Sequence, residues 1–138
     1  MEPQTPRPLD VDTGFWLWMV ALPLMVVGYV IDMVTAEQRL TIPVVFINVV
    51  FLVIMVAVTV TFLILMRQGY RWARTCLTAG GIAAVAFAVS SLMTVERPAG
   101  AAVGFAVSGI VGSVLIVGGV YLLHRRDVNA FFATDPPA

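Results

Sequence analysis

The sequence predicts an all-α polytopic membrane protein of four transmembrane helices with both termini cytoplasmic, and three observations predict it. The chain has 138 residues, of which 60% are apolar and 12% charged, where soluble domains average about 45–50% and about 25%. Four runs contain no Asp, Glu, Lys or Arg: residues 13–31, 40–66, 75–95 and 98–124. The arginines are spread unevenly over the segments between them. A hydrocarbon core about 30 Å thick needs roughly 20 helical residues, so each run can cross once. Only helices and closed barrels satisfy their backbone groups in lipid, and none of these runs alternates as a barrel strand would. A mean hydropathy of +0.97 with so few charges excludes both a water-soluble fold and a disordered chain.

Taken in order, residues 1–12 are expected to form a mobile, Pro-rich tail. The first span covers about residues 13–34. Thr13 is placed to cap it, Pro23 to kink it, and Asp32 and Met33 to carry it to the interface. The second covers about 41–66, with Thr41 as cap and Pro43 in the first turn, where a missing N–H costs little. The third covers about 73–95 and the fourth about 99–123, separated by the stop-and-start pair Arg97-Pro98. Residues 13–124 thus make the bundle, and residues 125–138 an interfacial extension and mobile tail. In that extension Phe131 and Phe132 are expected at the headgroup boundary, beside Arg125 and Arg126. Val34-Thr35-Ala36 before Glu37 has the look of a signal cleavage site. Against cleavage, a single Arg7 precedes a run longer than the usual span of about 7–15 residues, so the first span is expected to be retained.

Orientation follows from arginine. Arg7, Arg67, Arg71, Arg74, Arg125 and Arg126 fall on one side of an even number of spans, and Arg39 and Arg97 on the other. The richer side is expected to be cytoplasmic in a bacterial inner membrane. Trp16, Trp18 and Trp72 fall on that side with Tyr70 and Tyr121, as an interfacial belt would.

Reactive groups are scarce. A net charge of zero argues against a nucleic-acid partner. Cys76 is the one cysteine and His124 the one histidine, so no ligand set for a metal or haem is apparent and no cofactor is expected. No Gly-x-Ser-x-Gly elbow, paired carboxylates or phosphate-binding glycine loop occurs, and no catalytic residue is assigned. Asp32, about one turn from the end of the first span, reads first as an interfacial carboxylate marking where the helix leaves lipid; it is also a candidate polar site together with Asn48, with Arg39 or Arg97 as its partner. Arg67, Arg71 and Arg74 are spaced to share one helical face if a helix continues through them. With Arg125 and Arg126 they form a candidate contact for anionic lipid or an acidic partner, or simply the topology signal.

Small residues carry the strongest pattern. Gly100, Gly104, Ser108 and Gly112 recur every four residues in the fourth span, and Gly80, Ala84 and Ala88 make a similar strip in the third. Such strips let helix backbones approach closely where lipid supplies no hydrophobic drive. They suit a tight hairpin of spans three and four, a seam for another membrane protein or copy, or both. Asn48, Thr59 and Thr61 could add interhelical hydrogen bonds.

At Phe-Trp-Leu-Trp (15–18), Arg-Gln-Gly-Tyr-Arg-Trp-Ala-Arg (67–74) and Tyr-Leu-Leu-His-Arg-Arg-Asp-Val-Asn-Ala-Phe-Phe (121–132), the chain resembles small four-helix membrane proteins of actinobacteria, mycobacteria especially. The resemblance implies the four-span fold and no activity. Small multidrug transporters share the span count, but the membrane-embedded Glu of their first helix has no counterpart here. Two readings follow. One is a non-enzymatic accessory or structural subunit, packed against a larger membrane complex or its own copies through smooth helix faces. The alternative is a small homo-oligomeric carrier or channel, with a polar path entered at Asp32 and lined by Asn48, Ser90, Ser91 or Ser108.

Overall fold

The computed structural model describes residues 8–35 and 41–133. Among them it contains five α-helices and no strand: α1 (Leu9–Thr35), α2 (Ile42–Arg67), α3 (Arg71–Thr94), α4 (Ala99–Leu123) and α5 (Arg126–Ala133). The first four are 24 to 27 residues long and apolar enough to cross a membrane. At 1.5 Å per residue each is longer than a hydrocarbon core about 30 Å thick. Of the N-terminal segment expected to be a mobile tail, residues 9–12 instead form the first turn of α1, and residues 126–133 of the C-terminal segment form α5; residues 1–7 and 134–138, with Glu37 and Arg39, lie outside the described residues.

The helix ends follow local chemistry. Helix α1 begins at Leu9, four residues before the expected cap; the Val11 N–H bonds the Pro8 carbonyl, and Asp10 and Asp12 stand in the first turn, where carboxylates suit the helix dipole. Thr13 is therefore inside the helix and its hydroxyl donates back to the Leu9 carbonyl. The acidic first turn competes successfully with the threonine as a helix start. Pro23 lies within α1, which continues on both sides of it. Thr41 occupies the N-cap of α2 by backbone geometry but makes no side-chain cap bond. Gly69, at φ +98°, turns the chain between α2 and α3. An L-residue with a side chain resists that backbone conformation, so the turn depends on glycine.

The most intimate pair is α1 with α4, packed antiparallel along nearly their whole length. Small residues make the approach possible at every level. A Cβ on Gly14 would lie 3.3 Å from Leu123 and one on Gly119 would lie 3.5 Å from the Gly14 carbonyl. Further along, Met25 covers Gly112, Ser108 and Phe105 cover Gly28, and Ile31 covers Gly104. The strip at Gly104, Ser108 and Gly112 therefore seats α1, where the hairpin with α3 was the sequence-based expectation. Helix α3 takes the adjoining face of α4: Gly109 meets Ala88, and Gly81 meets Ile116. Among the described residues Gly100 has no neighbour within 4 Å of a Cβ position.

Trp18 corrects the expected aromatic belt. Trp16 and Trp72 are exposed, but Trp18 is buried. One corner of its indole fills the space over Gly81 of α3, and the Nε1 edge lies on Gly119 of α4. Two missing Cβ atoms create that slot, and the ring gains more from packing there than from an interface. Among the described residues its Nε1 has no hydrogen-bond partner. Around it, Val11, Phe15, Leu63, Met66, Leu77 and Leu123 form the core at one end of the bundle. Helix α5 closes that end with Val128 and Phe132, both fully buried. Phe132 thus faces the protein interior, not a headgroup boundary, because the turn after α4 folds α5 back under α3.

Gly119→Ala places a methyl 2.7 Å from the rigid Trp18 ring. We expect it to lower stability by about 1–3 kcal/mol through overpacking. Gly100→Ala, in open space, should change stability by less than about 0.5 kcal/mol. Thermal midpoints in mild detergent check both.

Candidate functional site

Three places concentrate polar or open structure, and each is built by the helix ends or by the way α2 stands off from the bundle. The first is Arg97, in the connection between α3 and α4. Its side chain is 4% exposed. The Nε and Nη2 groups donate to the two oxygens of Asp32 on α1, at 2.5 and 2.9 Å. Nη2 also donates to the Ser91 hydroxyl at 2.6 Å, and Nη1 to the carbonyls of Ser91 and Val95 at 2.9 and 3.2 Å. The guanidinium lies over the Phe105 ring of α4, 3.8 Å from its centroid. A guanidinium has five N–H donors, and here all five are used. The planar fork matches the carboxylate in a way that an ammonium would not. Asp32 therefore acts with Arg97 as a clasp between α1, α3 and α4. Of its two expected partners, Arg97 fills the role, and Arg39 lies outside the described residues.

The second place is the opposite end, where the start of α1 meets the end of α4. Arg67 pairs with Asp12 and Arg125 with Asp10, each at 3.1 Å. Arg67 also stands over Phe15, at 4.9 Å. Arg74 donates to the Leu123 carbonyl and to Asn129 on α5, and lies over Phe132. Arg71 and Arg126 are exposed. The expected single face of Arg67, Arg71 and Arg74 does not form. Gly69 breaks the helix between them, leaving Arg67 at the end of α2 and the other two at the start of α3. Of the six arginines that sequence places at this end, five are described, and three of these, Arg67, Arg74 and Arg125, are engaged within the chain.

The third place is a cavity of about 570 Å³ between α1, α2 and α3, bordered by α4. It runs along α1 from Trp18 to Asp32, some 21 Å at 1.5 Å per residue. It exists because α2 is tied to the bundle near its ends. Tyr29 donates to Asn48 Oδ1 at 2.7 Å near one end, and Arg67 holds Asp12 at the other. Only 11% of the most apolar stretch of α2 is buried. The walls are almost wholly apolar, with Phe51, Met55 and Phe62 on α2 facing Gly80, Ala84 and Ala88 on α3. Among the described residues nothing from another helix lies within 4 Å of a Cβ placed on Gly80, so the third-span strip lines a space there, while Ala88 reaches α4.

A polar path is not what the cavity offers. Of Asp32, Asn48, Ser90, Ser91 and Ser108, Asp32 alone lines it among the described residues. Ser91 is bound to Arg97, and Ser108 donates to the Phe105 carbonyl. Asn48 does join two helices, but Thr59 and Thr61 donate to carbonyls one turn back in α2 and bridge nothing. Both hydroxyls find that local acceptor at no cost in chain order. Among the described residues no three His, Cys, Asp or Glu side chains gather where a metal could be held. His124 places Nδ1 2.9 Å from the Val120 carbonyl and is exposed. Sequence reasoning missed Gly14, Gly28, Gly81 and Gly119, whose spacing is irregular; it also missed Tyr29, whose partner lies 19 residues away.

Removing one partner of a buried ion pair costs about 3–5 kcal/mol. With Asp32 26% exposed, Asp32→Asn and Arg97→Lys should fall at the lower end of that range. Arg125→Ala breaks a pair whose arginine is 46% exposed and should cost less than about 1 kcal/mol. Denaturation in detergent, monitored by helix content, checks the ranking. Among known proteins, no family model, no curated sequence and no solved structure matches this chain, so its function is read from the geometry of its own residues.

Proposed function

We propose that the chain is a non-enzymatic integral membrane protein, an accessory or structural subunit that packs against a larger membrane complex or against its own copies. The supporting observation is the outward face of α3. Ala79, Ala83, Ala86 and Ser90 are all exposed there at intervals of four, three and four residues, making a smooth helical stripe. Small stripes of this kind allow a second helix to approach closely in lipid. Both helices expose bulky apolar residues, Phe46, Ile47, Phe51 and Ile54 on α2 and Ile82, Phe87, Val89 and Met93 on α3, but the mean hydropathy of α3 is 1.9 against 3.1 for α2. Bulky apolar side chains suit contact with lipid chains; a smoother, less apolar face suits a protein neighbour.

A carrier or channel for a polar solute has less support. Its expected entry residue, Asp32, is held by Arg97 through both oxygens, and the space beyond is apolar. A catalytic role lacks a set of residues that could act together. The arginine-rich end, where α1 begins and α4 finishes, suits the cytoplasmic face of a bacterial inner membrane by the positive-inside rule.

Blue-native electrophoresis after extraction in mild detergent tests the subunit reading. A species larger than the monomer is expected, lost in Ala83→Leu and Ala86→Leu and kept in Val53→Leu on α2. Unpartnered monomer across several extractions would overturn it. A tag after Ala138 should be reachable only once the membrane is permeabilised.

A further inference from the structure

We propose that the cavity between α1, α2 and α3 is a binding site for one extended hydrocarbon chain of a membrane lipid, headed at the Asp32 end by a hydrogen-bond donor such as a hydroxyl. Four observations lead there. The first is shape: about 570 Å³ stretched over some 21 Å of α1 describes a chain-like volume, longer than one leaflet of a bilayer whose core is about 30 Å thick. The second is the lining. Phe51, Met55, Phe62, Leu77 and Phe87 surround the middle of the cavity, and a water there would lack the two to four polar partners it needs.

The third observation concerns α3. Gly80 and Ala84 are small and both border the cavity, and among the described residues Gly80 has open space over it. Small residues bordering a space leave room for something else. The fourth concerns α2. The Tyr29–Asn48 bond near one end, and buried Leu63 and Met66 with the Arg67–Asp12 pair at the other, hold the helix at a fixed distance. The gap between these ties is therefore part of the fold. Interiors tolerate few voids, because unpaired surfaces lose their dispersion contacts. At this depth the filling material is hydrocarbon.

The head follows from acceptor capacity. Two carboxylate oxygens present about four lone-pair sites, and among the described residues Arg97 occupies two of them. Tyr29, which also lines the cavity, gives its proton to Asn48 and keeps its oxygen as an acceptor. A ligand head that donates, such as an alcohol, complements this end; one that only accepts, such as a fatty carboxylate, does not.

The test uses photoactivatable octadecanol and stearic acid, each carrying a diazirine in the chain, with the full-length protein in phosphatidylethanolamine–phosphatidylglycerol vesicles. Octadecanol should label peptides bearing Phe51 to Phe62 and Cys76 to Ala88 more strongly than stearic acid does. Unlabelled octadecanol should compete the labelling away. Gly80→Leu fills the cavity and should abolish that labelling, while Gly100→Leu, also at an open glycine but outside this cavity, should retain it. If Gly80→Leu fails to fold, saturable competition on the unaltered protein still decides. Labelling spread evenly over α2, including the outward Ile54, and indifferent to competitor would overturn the proposal.

Discussion

The antiparallel approach of α1 to α4 is the contact on which the rest of the structure depends. Lipid chains are as apolar as leucine, so two helices gain nothing in a bilayer by hiding hydrophobic surface from water. What remains is the density of van der Waals contact, and that depends on how close the backbones come. Gly14, Gly28, Gly104, Gly112 and Gly119 remove the side chains that would hold these two helices apart. Met25, Ile31 and Leu123 then fill the grooves so formed, Met25 with a flexible thioether suited to an irregular surface. Once this pair is in place, the slot for Trp18 exists, and the indole carries the contact over to Gly81 of α3. Three helices are thereby joined through one side chain.

Polar interactions take a different part in the fold. They sit at the two ends of the bundle and leave its middle to packing. The Arg97 clasp ties α1, α3 and α4 at one end; Asp10, Asp12 and the arginines tie the other, with α5 closing it. Dense packing along smooth helices fixes separation well but resists sliding poorly. A bidentate ion pair with three further hydrogen bonds has a single satisfactory register. The ends therefore set the vertical alignment of the helices, and the glycines set their spacing.

The sequence disclosed the helices more fully than it disclosed their neighbours. Uninterrupted apolar length is a property of each segment alone, so the four spans could be located from residues 13–124 with errors of a few residues at the ends. The small-residue strip at Gly104, Ser108 and Gly112 was visible for the same reason, since its four-residue period lies within one helix. Which helix would occupy it was not visible. Short connections favour α3, but the complementary glycines of α1, at positions 14 and 28, are fourteen residues apart and form no period of their own. The candidate site divides likewise. Asp32 stood out because it is the ionisable residue that comes closest to the interior of a span, and Arg97 was one of two available partners. Tyr29 and the burial of Trp18 depend on three helices meeting, and no local pattern announces such a meeting. The Arg67, Arg71 and Arg74 face failed because one glycine with positive φ outweighs an otherwise helical spacing.

Helix α2 shows what these constraints leave free. It has the highest mean hydropathy of the four spans and the least burial, and its exposed surface is β-branched and aromatic. Nothing along its middle resembles the glycine strips that draw α1 and α4 together. With Asn48, Leu63, Met66 and Arg67 as its anchors, it stands as a strut beside a three-helix core. A helix with smooth faces would have closed onto α1 and eliminated the cavity; one without anchors would have been carried away by lipid. Apolar bulk in the middle and polar or buried ties toward the ends together produce a space of fixed width inside the bilayer. The smooth face of α3 points out of the bundle, and the small residues on its other side border that space. Packing outward and enclosing inward are thus two uses of the same helix, and they follow from where its alanines and glycines fall.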